Sequence, residues 1–201
     1  MPAVALTLFV VFALLGFGWR SVVQRRRTGS TGFKGVSGRP GSVEWLAGVG
    51  FIVAIVIAVA APALQWAGVV APLPWLAALW VQVLGIAVAV AGIVGTVYAQ
   101  TDMGESWRIG VDPAETTMLV RTGVFGWVRN PIFSAMIVFG LGFALITPNA
   151  VALVGFVLLM ATIEAQVRAV EEPYLLATHG QEYRDYARAV GRFVPRLGRL
   201  R

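Results

Sequence analysis

The chain has 201 residues, of which 58% are apolar and only 13% charged, and its mean hydropathy is +0.77. Soluble domains carry roughly 25% charged residues, so this composition excludes both a water-soluble globule and a disordered chain. The net charge of +6 sits on a small polar remnant, where anionic lipid headgroups and no nucleic acid are the expected partner; the lack of cysteine and the single histidine exclude disulfides, thiolate chemistry and a multi-histidine metal site.

A bilayer core near 30 Å needs about 20 apolar residues as helix. The first apolar segment is 3–19. No basic residue precedes it and no small-residue cleavage site follows it, so it reads as a retained helix rather than a signal peptide. The stretch 25–42, rich in Gly, Ser and Arg, reads as a flexible linker that touches anionic lipid, or as a plain topological anchor. The second apolar segment is 45–61, bent or ended by Pro62. The third is 75–99, and its Gly85, Ala89, Gly92 and Gly95 suit close helix contact, including pairing between copies. Segments 132–146 and 149–165 form a hairpin about the turn Thr147-Pro148-Asn149. The expected fold is thus an all-α integral membrane protein of about five transmembrane helices. Its regions are 1–44 (first helix and basic linker), 45–100 (helices two and three) and 101–201 (connector, hairpin and C-terminal amphipathic helix).

Five spans put the termini on opposite sides. The loops 62–74 and 147–149 hold no charge, so all 26 charged residues fall on one side. The positive-inside rule makes that side cytoplasmic and the N-terminus external, with the plasma (inner) membrane as the expected location. Chemistry is then confined to two polar stretches, 101–130 and 164–201. Each is too short for a separate domain, so a site must form where they fold over the helix ends.

Three clusters stand out. In the first, Asn130 and Pro131 are a helix start signal, with Asn130 as the cap of the fourth span and Arg129 beside it. A helix N-terminus next to an arginine offers a carboxylate site; a plain cap with an interfacial arginine is the alternative. In the second, Glu164, Arg168, Glu171 and Glu172 end the fifth span. Helical spacing allows an i,i+4 ion-pair ladder, or a pair of carboxylates held for a ribose, an ammonium or a sulfonium. In the third, Tyr183, Tyr186 and Val190 recur at helical spacing, as on an amphipathic helix or beside a cofactor, while His179 beside Gly180 reads as an exposed loop residue.

In this order the segments resemble the isoprenylcysteine carboxyl methyltransferase family and the wider phospholipid methyltransferase group. The matching residues are Gly123-Val124-Phe125, Arg129-Asn130-Pro131-Ile132-Phe133, Glu171-Glu172, Gly180-Gln181-Glu182-Tyr183-Arg184-Asp185-Tyr186 and Arg192-Phe193-Val194-Pro195, with lead-ins Gly104-Glu105-Ser106-Trp107-Arg108 and Leu119-Val120-Arg121-Thr122-Gly123. The resemblance spans about half the chain, 101–195. It implies an S-adenosylmethionine site at the cytoplasmic boundary without a Rossmann fold. The implied cofactor-binding set is Leu119, Val120, Gly123, Val124, Arg129, Asn130, Pro131, Phe133, Glu171, Glu172 and Tyr183. Arg129, Glu172 and Arg168 are the candidate catalytic residues, with Arg108 and Arg184 as further candidates on the acceptor side. The chain departs from the family pattern where Asn130 replaces a histidine, and where Phe125 and Phe133 replace tyrosines.

The implied activity is methyl transfer to a lipophilic small-molecule or lipid acceptor. The enzyme's part is proximity and alignment. A carboxylate acceptor is favoured, because it needs no general base and the chain offers no well-placed histidine. Two other readings stay open: a membrane reductase using a nicotinamide cofactor, and a non-catalytic relative of the family. Neither the acceptor's identity nor the oligomeric state follows from the sequence.

Overall fold

The computed structural model describes residues 1–32, 35–107 and 118–200. Its α-helices are α1 (Pro2–Ala13), α2 (Arg20–Thr28), α3 (Val43–Trp66), α4 (Leu79–Met103), α5 (Pro131–Ile146), α6 (Ala150–Gln166) and α7 (Glu172–Ala189). Two π-helical segments, Leu14–Trp19 and Val167–Glu171, join α1 to α2 and α6 to α7 without a break. No strand forms among the described residues, and one isolated parallel bridge links Val128 to Gly191.

The protein is all-α and integral to the membrane. Four helical stretches are long and apolar enough to cross it: Pro2–Thr28, Val43–Trp66, Leu79–Ser106 and Ala150–Ala189. The fifth apolar helix, α5, has 16 residues and is about 24 Å long.

The pairs α4–α5, α3–α6 and α1–α5 run antiparallel, and small residues set the spacing of the first two. On α4, a methyl added to Gly85 would lie 2.8 Å from Gly142 O, and one on Gly92 would lie 2.6 Å from Phe139 Cα. The backbones of α4 and α5 therefore touch, as small residues permit in lipid. The glycines of the third span are spent on contact within the chain. Helices α3 and α6 pair likewise, through Gly50 against Thr162 and Gly155 against Ile57. Helix α1 lays Phe12 on Phe139 with ring centroids 4.2 Å apart, and Phe9 near Phe143.

At one end of the bundle, buried Asn149 donates to Ala61 O (3.1 Å) and Gln65 Oε1 (2.9 Å) and accepts from Ala152 N–H (2.9 Å). It caps α6 and fastens it to α3. This end, with its loop 67–78 and turn 147–149, carries no charged residue. Arg20, Asp102, Arg129, Glu172 and Arg192 gather at the other.

Several expectations need correction. Pro62 does not end the second helix, which runs on to Trp66. Proline near a helix end removes a single hydrogen bond, a loss that a buried position in a bundle tolerates. The first helix continues past the span to Thr28, so 25–42 is not wholly a linker: its first residues are helical. The third helix begins at Leu79 rather than at 75, because 74–76 form a turn. His179 and Gly180 lie not in an extended loop but at a kink within α7, where two helical halves meet at the non-helical Gly180 (φ +52°).

Candidate functional site

The centre of the charged end is a buried ion cluster. Glu172 Oε1 accepts from Arg129 Nη2 (2.7 Å) and Arg192 Nε (2.7 Å), and Glu172 Oε2 accepts from Arg192 Nη2 (3.0 Å). The three side chains are 9%, 1% and 10% exposed. Arg129 Nη1 also donates to Ala187 O and Val190 O, both at 2.7 Å, and Nη2 donates to Gly198 O at 3.1 Å. Burying three charges is tolerable only where most of their donors and acceptors are paired in this way. The Glu172 carboxylate holds the Arg192 guanidinium above its ordinary range, chiefly by hydrogen bonding, against the opposing effect of burial.

The C-terminal segment is stitched onto this cluster by backbone. Arg129 N–H donates to Gly191 O (2.8 Å), Asn130 N–H to Arg192 O (3.1 Å), and Ser134 Oγ to Phe193 O (2.7 Å). Asn130 occupies the N-cap position of α5, but its side chain makes no capping bond. Its Nδ2 donates instead to Arg192 O at 3.2 Å. The expected side-chain cap is therefore absent, and the amide locks the C-terminal segment in place. The N–H groups of Ile132 and Phe133 are left without intrahelical partners.

Above this frame lies a cavity of about 500 Å³. Leu119, Val120, Arg129, Asn130, Pro131, Phe133, Glu171 and Tyr183, all named by the sequence reading, line it. So do residues that reading passed over: Ser21 and Phe17 from the first helix, Gln100 and Met103 from α4, Trp107, and Tyr174. The size falls within the roughly 300–1,000 Å³ of small-molecule sites. Phe17, Phe51, Ile55 and Met136 also border a second chamber of about 380 Å³ between α1, α3, α5 and α6. That chamber has no polar lining residue.

Three of the sequence candidates stand behind the wall. Glu172 is the core of the ion cluster. Gly123 and Val124 belong to a short 3₁₀ turn, Gly123–Gly126, that is held by Asp102: the Val124 N–H donates to Asp102 Oδ2 at 2.8 Å. Gly123 has φ +56°, and a methyl there would lie 2.6 Å from Asp102 Cγ. Gly123→Ala is expected to cost about 2 kcal/mol or more, through the left-handed backbone and the displaced carboxylate; thermal unfolding of the purified variant measures it.

Arg168 is not brought to the cavity. It is 60% exposed and pairs with Glu164 on the outer face of the helix. The ladder stops there because the π-helical turn at 167–171 changes the register. Glu172 is rotated inward to Arg129 and Arg192, and Glu164 reaches Arg192 at 3.5 Å. Of the other acceptor-side candidates, Arg184 lies exposed on α7, while Arg108 lies outside the described residues.

Other contributors carried signals that motif reading does not weigh. Arg20 is buried, donates to Gly104 O and stacks over Trp107, 4.9 Å from the ring centroid. Gln24 donates to Glu105 O at 2.7 Å. Both lie in the basic stretch Arg20–Thr28, where neighbouring arginines hide them from local reading. Arg192 was visible within the Arg192-Phe193-Val194-Pro195 segment, yet nothing local linked it to Glu172. Tyr186 donates to Phe125 O at 2.6 Å, which fastens the 3₁₀ turn to α7.

Fold and site together define a helical membrane protein with a cavity at the polar end of its bundle, sharing part of its wall with an apolar chamber. The sequence profile of the phospholipid methyltransferase family matches residues 80–182, half of the chain, and the protein belongs to that family. Among its relatives is a protein-S-isoprenylcysteine O-methyltransferase of Saccharomyces cerevisiae, 32% identical over 39% of this chain and 33% of its own. A protein-S-isoprenylcysteine O-methyltransferase of Tribolium castaneum is 25% identical over 58% of this chain and 42% of its own. The chain thus spans less than half the length of these relatives. A solved structure of a eukaryotic intramembrane Ras methyltransferase, an isoprenylcysteine carboxyl methyltransferase, shares the fold. It matches with a TM-score of 0.67 at 21% identity, over 98% of this chain and 67% of that one.

Proposed function

We propose that this protein is a membrane methyltransferase that uses S-adenosylmethionine and acts on a lipophilic acceptor at the cytoplasmic face of the plasma (inner) membrane. The observation that carries the proposal is the junction of a motif-lined cavity with a wholly apolar chamber. The two spaces share Phe17, Phe51, Ile55 and Met136 as a common wall, which puts a polar cofactor and an apolar tail side by side. The cytoplasmic assignment rests on the absence of charge from the loops 62–74 and 147–149, which under five spans assigns the basic segments to the opposite face.

The residues present fit the cofactor. Its carboxylate suits the N-terminus of α5, which carries no side-chain cap, with the positive charge of Arg129 beside it. Glu171 and Tyr183 line the same wall for its remaining polar groups. When bound, the cofactor supplies an electrophilic methyl group on a positively charged sulfur. The chain's own residues orient the two ligands and keep water from the apolar side.

Among the described lining residues there is no histidine. An acceptor already ionised, such as a carboxylate, needs no base. The isoprenylcysteine in the names of the two relatives has this chemistry, with an apolar chain suited to the second chamber. The experiment is calorimetric titration of detergent-purified protein with S-adenosylhomocysteine. Saturable binding is expected, weakened in Glu171→Gln with thermal stability retained. No binding at millimolar ligand by folded protein would refute the proposal.

A further inference from the structure

Ser21 of α2 and Gln166 at the end of α6 line the cavity of about 500 Å³, and neither belongs to the motifs. Neither side chain has a hydrogen-bond partner among the described residues, and neither encloses its polar atoms, so both stay open to a ligand. A polar group in an apolar wall is costly unless something bonds to it. Their places follow from the helices that carry them. Phe17 belongs to the wall shared with the apolar chamber, and Ser21 follows it by four residues, about 6 Å toward the charged end. On α6, Leu159 lines the apolar chamber, while Ile163 and Gln166 line the cavity. A methyl added to Gly50 of α3 would lie 2.6 Å from Thr162 Cγ2, so α6 is seated against α3 one turn before Gln166. Each helix thus presents an apolar run toward the chamber and one neutral polar group above it. The charged lining residues among those described, Arg129 and Glu171, belong to the wall assigned to the cofactor.

We infer that Ser21 and Gln166 bind the reacting head of the methyl acceptor: its carboxylate accepts one hydrogen bond from Ser21 Oγ and one from Gln166 Nε2, while its apolar part lies against Phe17, Phe51, Ile55 and Met136. The inference rests on the methyltransferase reading and names the residues that select its second substrate. The chemistry favours neutral donors at this place. Transfer forms an O–C bond from a carboxylate lone pair as the bond from methyl to sulfur breaks, its electron pair staying on sulfur. Both charges vanish and no proton moves. A guanidinium on the carboxylate would hold the reactant more strongly than the transition state, where the negative charge is already fading, and would slow the step. An amide and a hydroxyl orient the oxygen with less of that loss. Gln166 is therefore a specificity residue, and its replacement by glutamate changes its charge with almost no change in shape.

The test is equilibrium binding of two amphiphiles to the full chain in phosphatidylcholine nanodiscs, without cofactor, read by tryptophan fluorescence. N-acetyl-S-farnesylcysteine ends in a carboxylate, and S-farnesylcysteamine carries the same tail to an ammonium. The wild type is expected to prefer the acid. Gln166→Leu and Ser21→Ala are each expected to weaken acid binding roughly tenfold and to leave S-adenosylhomocysteine affinity unchanged. Gln166→Glu is expected to reverse the preference, weakening the acid and strengthening the amine. In methyl transfer to the acid, the same variants are expected to raise KM. Thermal unfolding shows which variants are folded. Acid affinity unchanged in either folded variant overturns the inference, as does a preference that Gln166→Glu leaves in place. S-adenosylhomocysteine affinity lost in step with acid affinity makes the two residues cofactor contacts and overturns it too. So does a wild-type preference for the amine, or no binding of either amphiphile by protein that binds S-adenosylhomocysteine. Folded protein that binds none of the three loses the methyltransferase reading as well. The wild-type preference needs no variant, so a folding defect in one of them does not remove the test.

Discussion

Replacing Glu172 with alanine is expected to cost about 3–5 kcal/mol of stability, the range for removing one partner of a buried ion pair. Two guanidiniums, Arg129 and Arg192, converge on this one carboxylate at 2.7–3.0 Å, and the side chains are at most 10% exposed. Without it, two positive charges lie together with little access to water. Glu172→Gln keeps the shape but not the charge, so it tests the electrostatic part alone. Thermal unfolding in detergent measures both variants. A loss below about 1 kcal/mol would mean that water reaches the cluster and screens it. Pairing Glu172→Ala with Arg192→Met is expected to recover part of the loss, because only one buried cation remains. It follows that lost ligand binding in a Glu172 variant does not by itself identify Glu172 as a cofactor ligand. The frame that sets Arg129 and the N-terminus of α5 fails first.

Gly142→Leu is expected to prevent α4 and α5 from packing and to cost about 3 kcal/mol or more. Even a methyl at Gly142 would lie 2.6 Å from Gly85 O and 2.8 Å from Ala89 Cα. Those are backbone atoms, which cannot swing aside as a side chain does. Gly92→Leu is expected to behave alike, because Phe139 backbone faces it at 2.6 Å. Gly18→Ala is the control, since its added carbon meets nothing nearer than 3.8 Å. Yield and monodispersity of purified protein, followed by thermal unfolding, separate the cases. Wild-type behaviour of Gly142→Leu would mean that the two helices do not touch.

The five apolar segments were legible because lipid imposes a simple composition rule on any stretch that crosses it. Local signals went further at the turn Thr147-Pro148-Asn149 and at Pro131, the first residue of α5. Helix ends were read less well. Pro62 and residues 25–28 carry breaker or linker signals, and both lie within helices, while Gly180 marks only a kink between the two halves of α7. Tertiary packing outweighs the cost of one lost hydrogen bond or one non-helical glycine.

The sequence by itself determined that this is a helical membrane protein, and that its polar chemistry is crowded near Arg129, Glu171 and Glu172. Only the tertiary structure decided which of these groups face the cavity. Glu172 turns inward because a π-helical turn at 167–171 shifts the register and the partners Arg129 and Arg192 arrive from 43 and 20 residues away. The same shift leaves Arg168 outside, paired with Glu164. Gln100 meets Gly16 across 84 residues of chain, and Arg20 reaches Gly104 across as many. Composition and periodicity describe each helix against its solvent. They carry no record of which polar side chain on one helix meets a freed carbonyl on another.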